Sequence, residues 1–247
     1  MPIKVFGDEN VNKNIHNAFI EIIKHNNNCH PLDKIIAVNC SFGSQMYDPF
    51  MSYLIRKLVS DGIVVCVAGG NEGDGKSDTE EIFSFPAYLA EVVTVAALNQ
   101  NDEIAKYSNT FDGVDLGAYG TYIYSAWCDG NYNTISGTSM ATPHVTGAIA
   151  LLVDYFYQKE KRNPKENEID GLNLSYPQTN GILFRHIRES NLDHFCVGQG
   201  VLDLSFNEKK FPFYRIEIGD FCTSAEAEII ISNLQNDKIQ SKKITKY

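Results

Sequence analysis

The chain has 247 residues and a mass of 27.6 kDa, with 43% hydrophobic and 21% charged residues. That size fits one large domain or one domain with an appendage, and the composition excludes wholesale disorder. Thirty-one acidic residues against 21 basic ones give a net charge of −10 and a pI near 5.0. Such a field repels phosphate, so neither nucleic acid nor an anionic membrane is expected as a partner.

No apolar run approaches the ~20 residues a membrane helix needs. The start, Met1 to Asp8, lacks a basic segment followed by an apolar one, so no signal peptide is read there. Six cysteines (Cys29, Cys40, Cys66, Cys128, Cys196, Cys222) form no CxxC pair and show no metal-ligand spacing. A reducing, cytoplasmic setting is the expectation.

Along the chain, apolar stretches alternate between two periods. Ile3 to Phe6 is a short apolar run, and Val11 to Lys24 places Val11, Ile15, Phe19, Ile22 and Ile23 at helical spacing. Lys34 to Cys40 is a β-branched strand candidate. Met51, Leu54, Ile55, Leu58 and Val59 mark a second helix over 50–60, and Ile63 to Ala68 is an unalternating apolar strand. Strands of that kind between helices predict a parallel sheet covered on both faces.

From Val92 to Ser125 the rhythm becomes short β-like pieces with turns. Met140 to Tyr157 reads as a long helix, apolar almost all round and hence buried. Residues 159–180 are polar and turn-rich, an excursion between helices, and Gly181 to Glu189 resumes helical spacing. Residues 207–247 change character, with seven Lys and Arg against six Asp and Glu. They are read as a C-terminal extension, dispensable for the core, in which 214–218 and 227–231 could pair as a hairpin.

Three segments carry chemistry. Gly137-Thr138-Ser139-Met140-Ala141-Thr142-Pro143-His144-Val145-Thr146-Gly147 puts a hydroxyl at the first turn of a buried helix, where free N–H groups and the dipole favour developing negative charge. Gly137 would let the chain turn tightly, and Pro143 would be tolerated near the helix start. On these residues alone, an ordinary Ser or Thr N-cap is the simpler reading. Val67-Ala68-Gly69-Gly70-Asn71-Glu72-Gly73 sets a side-chain amide at a strand end, able to donate into a cleft but also common in turns. Val38-Asn39-Cys40-Ser41-Phe42-Gly43-Ser44 ends another strand, where backbone could pair with an extended peptide.

In this order the three segments resemble the subtilisin-like serine protease (subtilase) family. GTSMATPHVTG is similar to its nucleophile motif, with Ser139 in the nucleophile position, and VAGGNEG to its oxyanion segment, with Asn71 as donor. VNCSFGS resembles the strand that lines the substrate groove. Phe85 to Tyr88 with Val92 to Ala97, and Gly198-Gln199-Gly200-Val201-Leu202-Asp203, resemble later stretches, so the likeness spans about residues 3–206.

The resemblance implies an α/β, three-layer, mostly parallel fold and acyl-enzyme peptide hydrolysis by a serine-type endopeptidase. Ser139 would attack; Asn71 and the Ser139 N–H would hold the oxyanion. Ser41, Phe42 and Gly43 would bind substrate backbone, with Glu72 at the rim and Ser84 near the floor of a roomy, mildly acidic pocket. No cofactor is implied with certainty. A weak calcium or monovalent cation site could involve Asp115 and carbonyls near Ala87 to Val92, while Asp74, Asp78, Glu80 and Glu81 read as solvated surface.

The family's triad runs Asp, His, Ser along the chain. Neither its D-[ST]-G nor its H-G-T-H setting occurs here, since the six histidines precede Asn17, Asn26, Pro31, Val145, Ile187 and Phe195. Ile3 to Gly7 instead resembles the strand after the family's histidine helix, so the chain reads as the C-terminal part of a catalytic domain with N-terminal strands missing. His144 lies five residues from Ser139, ~140° around a helix, and reads as a core histidine. His16, His25 and His30 lack motif support, and a loose metal cluster around His186, His194 and Cys196 is a minor reading.

In subtilisin itself, losing the histidine alone costs about 2 × 10⁶ in kcat, ~8–9 kcal/mol of barrier. The isolated chain is therefore expected to be inactive, with a complementing N-terminal polypeptide as one partner and a peptide or protein substrate as the other. Two alternatives stand beside it: a pseudoprotease that binds extended peptides, and a structural fragment.

Overall fold

The structure, a computed structural model, describes residues 2–7, 9–76, 84–127, 130–162, 164, 169, 183 and 186–204. The expected tail hairpin, Cys128, Cys222, the acidic residues Asp78, Glu80 and Glu81, and nearly all of the 159–180 excursion beyond Arg162 lie outside these residues.

Helix α1 (Val11–Asn28) buries Ile15, Ala18, Phe19 and Ile22 on one stripe. Strand β1 (Ala37–Cys40) leads to helix α2 (Pro49–Ser60), then to β2 (Val64–Ala68) and β3 (Val93–Leu98). The entry to α2 is set chemically. Pro49 occupies a first-turn position where no N–H is needed, and the Asp48 carboxylate accepts the Phe50 and Met51 N–H groups at 2.9 Å each. Strand β4 (Leu116–Tyr119) follows, then an antiparallel hairpin of β5 (Ile123–Ala126) and β6 (Tyr132–Ile135). Helix α3 (Thr138–Glu160), β7 (Ile187–Arg188), the short α4 (His194–Val197) and β8 (Val201–Leu202) complete the described chain.

Six strands form one sheet in the order β1-β2-β3-β4-β8-β7, parallel except for β7 against β8. The continuous apolar run of β2 is explained by parity. Val65 and Val67 face α1 and α2, whereas Val64 and Cys66 face the opposite layer with α3. A strand buried on both faces has no polar side to show, and every β2 residue is buried. The result is the three-layer, mostly parallel α/β architecture the sequence implies.

Four local expectations are corrected. Residues 3–6 form no strand: Ile3 and Phe6 are exposed, and Val5 is half-buried against the core on the α1 side, its carbonyl accepting from Asn14 Nδ2 at 3.2 Å. With nothing between it and β1, this short segment has no ladder to join. Helix α3 is not buried all round; Ala141, Val145, Ile149 and Val153 pack on the sheet while the apolar Leu151 is 59% exposed. His144 is an exposed residue of α3 whose Nδ1 bonds the Met140 carbonyl at 2.9 Å, not a core histidine. Residues 187–188, placed in a helical stretch by spacing, are strand β7, because pairing with β8 outweighs local periodicity.

Candidate active site

The parallel order brings the carboxyl ends of β1 and β2 side by side, the usual place for a site in an open α/β sheet. Ser41 follows β1 directly, Gly69 to Asn71 follow β2, and the first turn of α3 supplies Thr138 and Ser139. These elements enclose a cavity of about 290 Å³ lined by Phe42, Gly43, Asn71, Glu72, Ser84 and Ser139, with Thr138, Gly70, Ala68, Ser44 and Gln45. Every residue picked out from the sequence for this site lines the cavity except Ser41, which touches Ser139 directly.

That contact is reciprocal. Ser41 Oγ donates to the Ser139 carbonyl at 2.8 Å, and Ser139 Oγ donates to the Ser41 carbonyl at 3.2 Å. Pro143 explains why the carbonyl is available. It lies inside α3, at the sixth position and not in the first turn, and has no N–H to return to the carbonyl four residues earlier. That carbonyl belongs to Ser139, so the Ser41 hydroxyl satisfies it instead.

Asn71 is oriented by its other neighbour. Its Oδ1 accepts the Thr138 N–H at 2.8 Å and the Thr138 hydroxyl at 3.0 Å. The carbonyl half of the amide is thereby committed, and the NH₂ half is the donor it has left for the cavity. The Ser139 N–H, second in α3, has no intrahelical acceptor by position. Gly137, expected to make a tight turn, has an extended backbone with φ 160°, and its carbonyl accepts from Met140 N at 2.9 Å.

The pocket beside these donors is closed by short backbone bonds. Ser44 and Phe85 exchange N–H···O bonds of 2.8 Å in both directions, which seats Ser84 against the loop after β1. A Cβ on Gly43 would come within 2.7 Å of Ser84 Oγ, so glycine there makes room for the floor residue. On the opposite wall, Glu72 is held by Asn109. Asn109 Oδ1 accepts the Glu72 N–H at 2.7 Å, and Asn109 Nδ2 donates to Glu72 Oε2 at 3.0 Å. Sequence reading missed Asn109, because a polar run, Ser108 to Thr110, ahead of the turn at Asp112-Gly113 reads as loop although the run is buried.

None of the six histidines lines this cavity. His16 Nε2 lies 2.8 Å from Asp48 Oδ2 at the start of α2, and His25 bonds the Asp33 carbonyl at 3.1 Å. His30 accepts the Leu32 N–H, and His194 lies beside Asp193 at 3.1 Å. Burial works against the Asp48 carboxylate, yet the Met51 and Phe50 N–H donors and His16 hold it below the usual carboxylate range. The His16–Asp48 pair is accordingly part of a helix cap.

Asp115, the expected cation ligand, accepts the Thr94 N–H at 2.7 Å, and burial pushes its carboxyl up to about 7. The Ala87 carbonyl takes the Thr94 hydroxyl. One carboxylate and an already bonded carbonyl make a thin donor set, and among the described residues no three His, Cys, Asp or Glu side chains converge. Cys29, Cys40, Cys66 and Cys196 are not in disulfides, and burial raises the Cys40 thiol well above its ordinary value.

The chain matches the model of the Subtilase family over residues 1–174. It is 36% identical over 136 residues to the Major intracellular serine protease of Bacillus subtilis (strain 168), covering 55% of this chain and 42% of that protein. It is 38% identical over 136 residues to the Intracellular serine protease of Paenibacillus polymyxa, covering 55% and 41%. Subtilisin E of Bacillus subtilis (strain 168) matches at 37% over 116 residues, 47% of this chain and 30% of that protein. The chain thus spans about two fifths of the length of the first two relatives. With the nucleophile motif on α3 beside the Gly-Gly-Asn end of β2, the chain belongs to the subtilase family.

Proposed function

We propose that this chain carries the nucleophile, oxyanion and substrate-groove portion of a serine-type endopeptidase and is inactive by itself. The observation that carries the proposal is the shared cavity of Ser139 and Asn71, with the Asn71 carbonyl committed to Thr138. Ser139 would attack the scissile carbonyl; the Asn71 NH₂ and the Ser139 N–H would stabilise the oxyanion. The loop Ser41 to Gly43 would pair with substrate backbone, and Glu72 and Ser84 would bound the side-chain pocket. What is lacking is a base, because the Ser139 hydroxyl donates to the Ser41 carbonyl and no histidine reaches the cavity.

The missing group would arrive with a second polypeptide. A slot of about 510 Å³ runs along the outer edge of β1, lined by residues 2–6, by Ile15, Phe19 and Ile22 of α1, and by Val38. β1 is the end strand of the sheet and only half-buried, unlike β2 and β3. An apolar slot beside a strand edge fits an added extended segment. The proposed setting is the cytoplasm, supported by the intracellular names of two relatives and by the lack, among the described residues, of any helix able to cross a membrane.

The test is reconstitution. Mixing the chain with a polypeptide bearing an Asp strand and an HGTH helix should produce peptide hydrolysis that disappears in Ser139→Ala. Hydrolysis by this chain alone, dependent on Ser139, would refute the inactive-alone reading. The committed state of the Ser139 hydroxyl also favours a second reading, a pseudoprotease. It would be supported by peptide binding to the groove that no complement converts to cleavage.

A further inference from the structure

We infer that Asn109 is a positioning residue for the acidic rim of the pocket, and that it governs how well the pocket separates a cationic substrate side chain from an uncharged one of the same shape. The inference rests on the peptidase reading of the groove and adds to it a residue outside the motifs. Asn109 is fully buried, in a run with Ser108 and Thr110 that is buried throughout. A buried primary amide must place both its oxygen and its NH₂ on partners. Asn109 places both on a single residue, accepting the Glu72 N–H and donating to Glu72 Oε2. Its own N–H donates to the Gly70 carbonyl at 3.1 Å.

The same Glu72 Oε2 accepts the Asn71 N–H at 2.9 Å. Two donors on one carboxylate oxygen bend the side chain back onto its own loop and fix its rotamer. Gly70 completes the arrangement: its φ is +111°, and a Cβ there would overlap the Asn109 amide nitrogen. The absent side chain is thus the space that Asn109 occupies. Among the residues lining the cavity, Glu72 bears the one charged side chain. It is exposed, so solvent screens its charge. A carboxylate fixed at the rim retains a directed interaction with a bound cation, whereas a released one turns to water and loses most of it.

The test compares two non-hydrolysable reduced-amide peptides that differ only in lysine or norleucine at the pocket position, binding to the full chain. Wild type should favour lysine by about three- to fivefold, the range of an exposed ion pair. Glu72→Gln should bring the ratio near one, and Asn109→Ala should do nearly the same although Glu72 is retained. In the double variant the ratio should not change further, since both act through one contact. A merely structural Asn109 would weaken both peptides equally and preserve the ratio, which would overturn the inference. So would an Asn109→Ala effect on the ratio that persists in the Glu72→Gln background.

Because Asn109→Ala removes a buried amide and could unfold the loop, amide exchange of the exposed-site variant Glu72→Ala provides a second reading. The Asn71 N–H should exchange about tenfold faster in Glu72→Ala than in wild type. Unchanged exchange would overturn the clamp on its own. If wild type binds neither peptide, the groove reading fails and the selectivity claim falls with it. Faster Asn71 exchange in that case would still support the clamp.

Discussion

The two ends of the sheet near the site differ in completeness. At the carboxyl end of β2, the segment Gly69 to Gly73 is bonded on every side. Thr138 donates its N–H and hydroxyl to the Asn71 side-chain oxygen, and its hydroxyl oxygen accepts the Gly70 N–H at 3.2 Å, while Asn109 donates its N–H to the Gly70 carbonyl and accepts the Glu72 N–H. Along the outer edge of β1, residues 2–4 and Phe6 lie exposed beside an apolar slot, and Val5 is half-buried with its carbonyl on Asn14. On the proposed reading, the difference separates two requirements of acyl transfer. Electrostatic stabilisation needs donors that are fixed before reaction, the part proposed for the bonded loop. Proton transfer needs a positioned base, and no histidine lines the cavity.

The largest effect should come from breaking the finished side. In the reconstituted assembly, Asn71→Leu should lower kcat by about 10²–10³-fold, the cost of removing such a donor in subtilisin. A loss of less than tenfold would show that the bonded loop is not the oxyanion element. Next in size is Gly70→Ala. Its positive φ and the Asn109 amide in its way predict a loss of ~1–3 kcal/mol, read from denaturant unfolding. A neutral result would mean that the loop is less constrained than its hydrogen bonds indicate.

Legibility in the sequence followed the same division. The Gly-Gly-Asn end of β2 and the Ser139 segment were readable because their chemistry is contiguous in the chain. The parallel sheet was readable because β2 is buried on both faces and shows no alternation. Residues 3–6 misled, because an apolar run looks like a strand whether or not a neighbour exists to pair with it. Asn109 was invisible, since its contact with Glu72 joins residues 37 apart in the chain. The role of Pro143 was misread for a similar reason: its effect falls on the Ser139 carbonyl and becomes meaningful only when Ser41 is beside it.

Smaller effects sharpen the contrast at its edges. Asp48→Ala should cost about 1 kcal/mol of stability through loss of the α2 cap, and should leave the finished loop untouched. Matched changes in amide exchange at Asn71 would instead couple the two regions. Asp115 gives a pH signature. Its folded-state value near 7 lies above the unfolded value near 3.8, so the folded state binds the proton more tightly. Stability should therefore fall as pH rises from about 4 to 7 and stay reduced above that window. Asp115→Asn should flatten this dependence and gain on the order of 1 kcal/mol relative to the parent at pH 8. If Asp115 binds a cation, calcium or potassium would raise the parent's Tm at pH 8, and the variant would lose that response.

The most direct test of a prepared nucleophile without a base is the rate at which Ser139 of the isolated chain is modified by a fluorophosphonate, followed by mass spectrometry. Reaction should be at most marginal with the chain alone and rise steeply once a polypeptide carrying the missing Asp and His is added, with Ser139 as the modified residue. Rapid stoichiometric modification of Ser139 in the isolated chain would contradict the account, because the hydroxyl would then be activated by a group within these 247 residues.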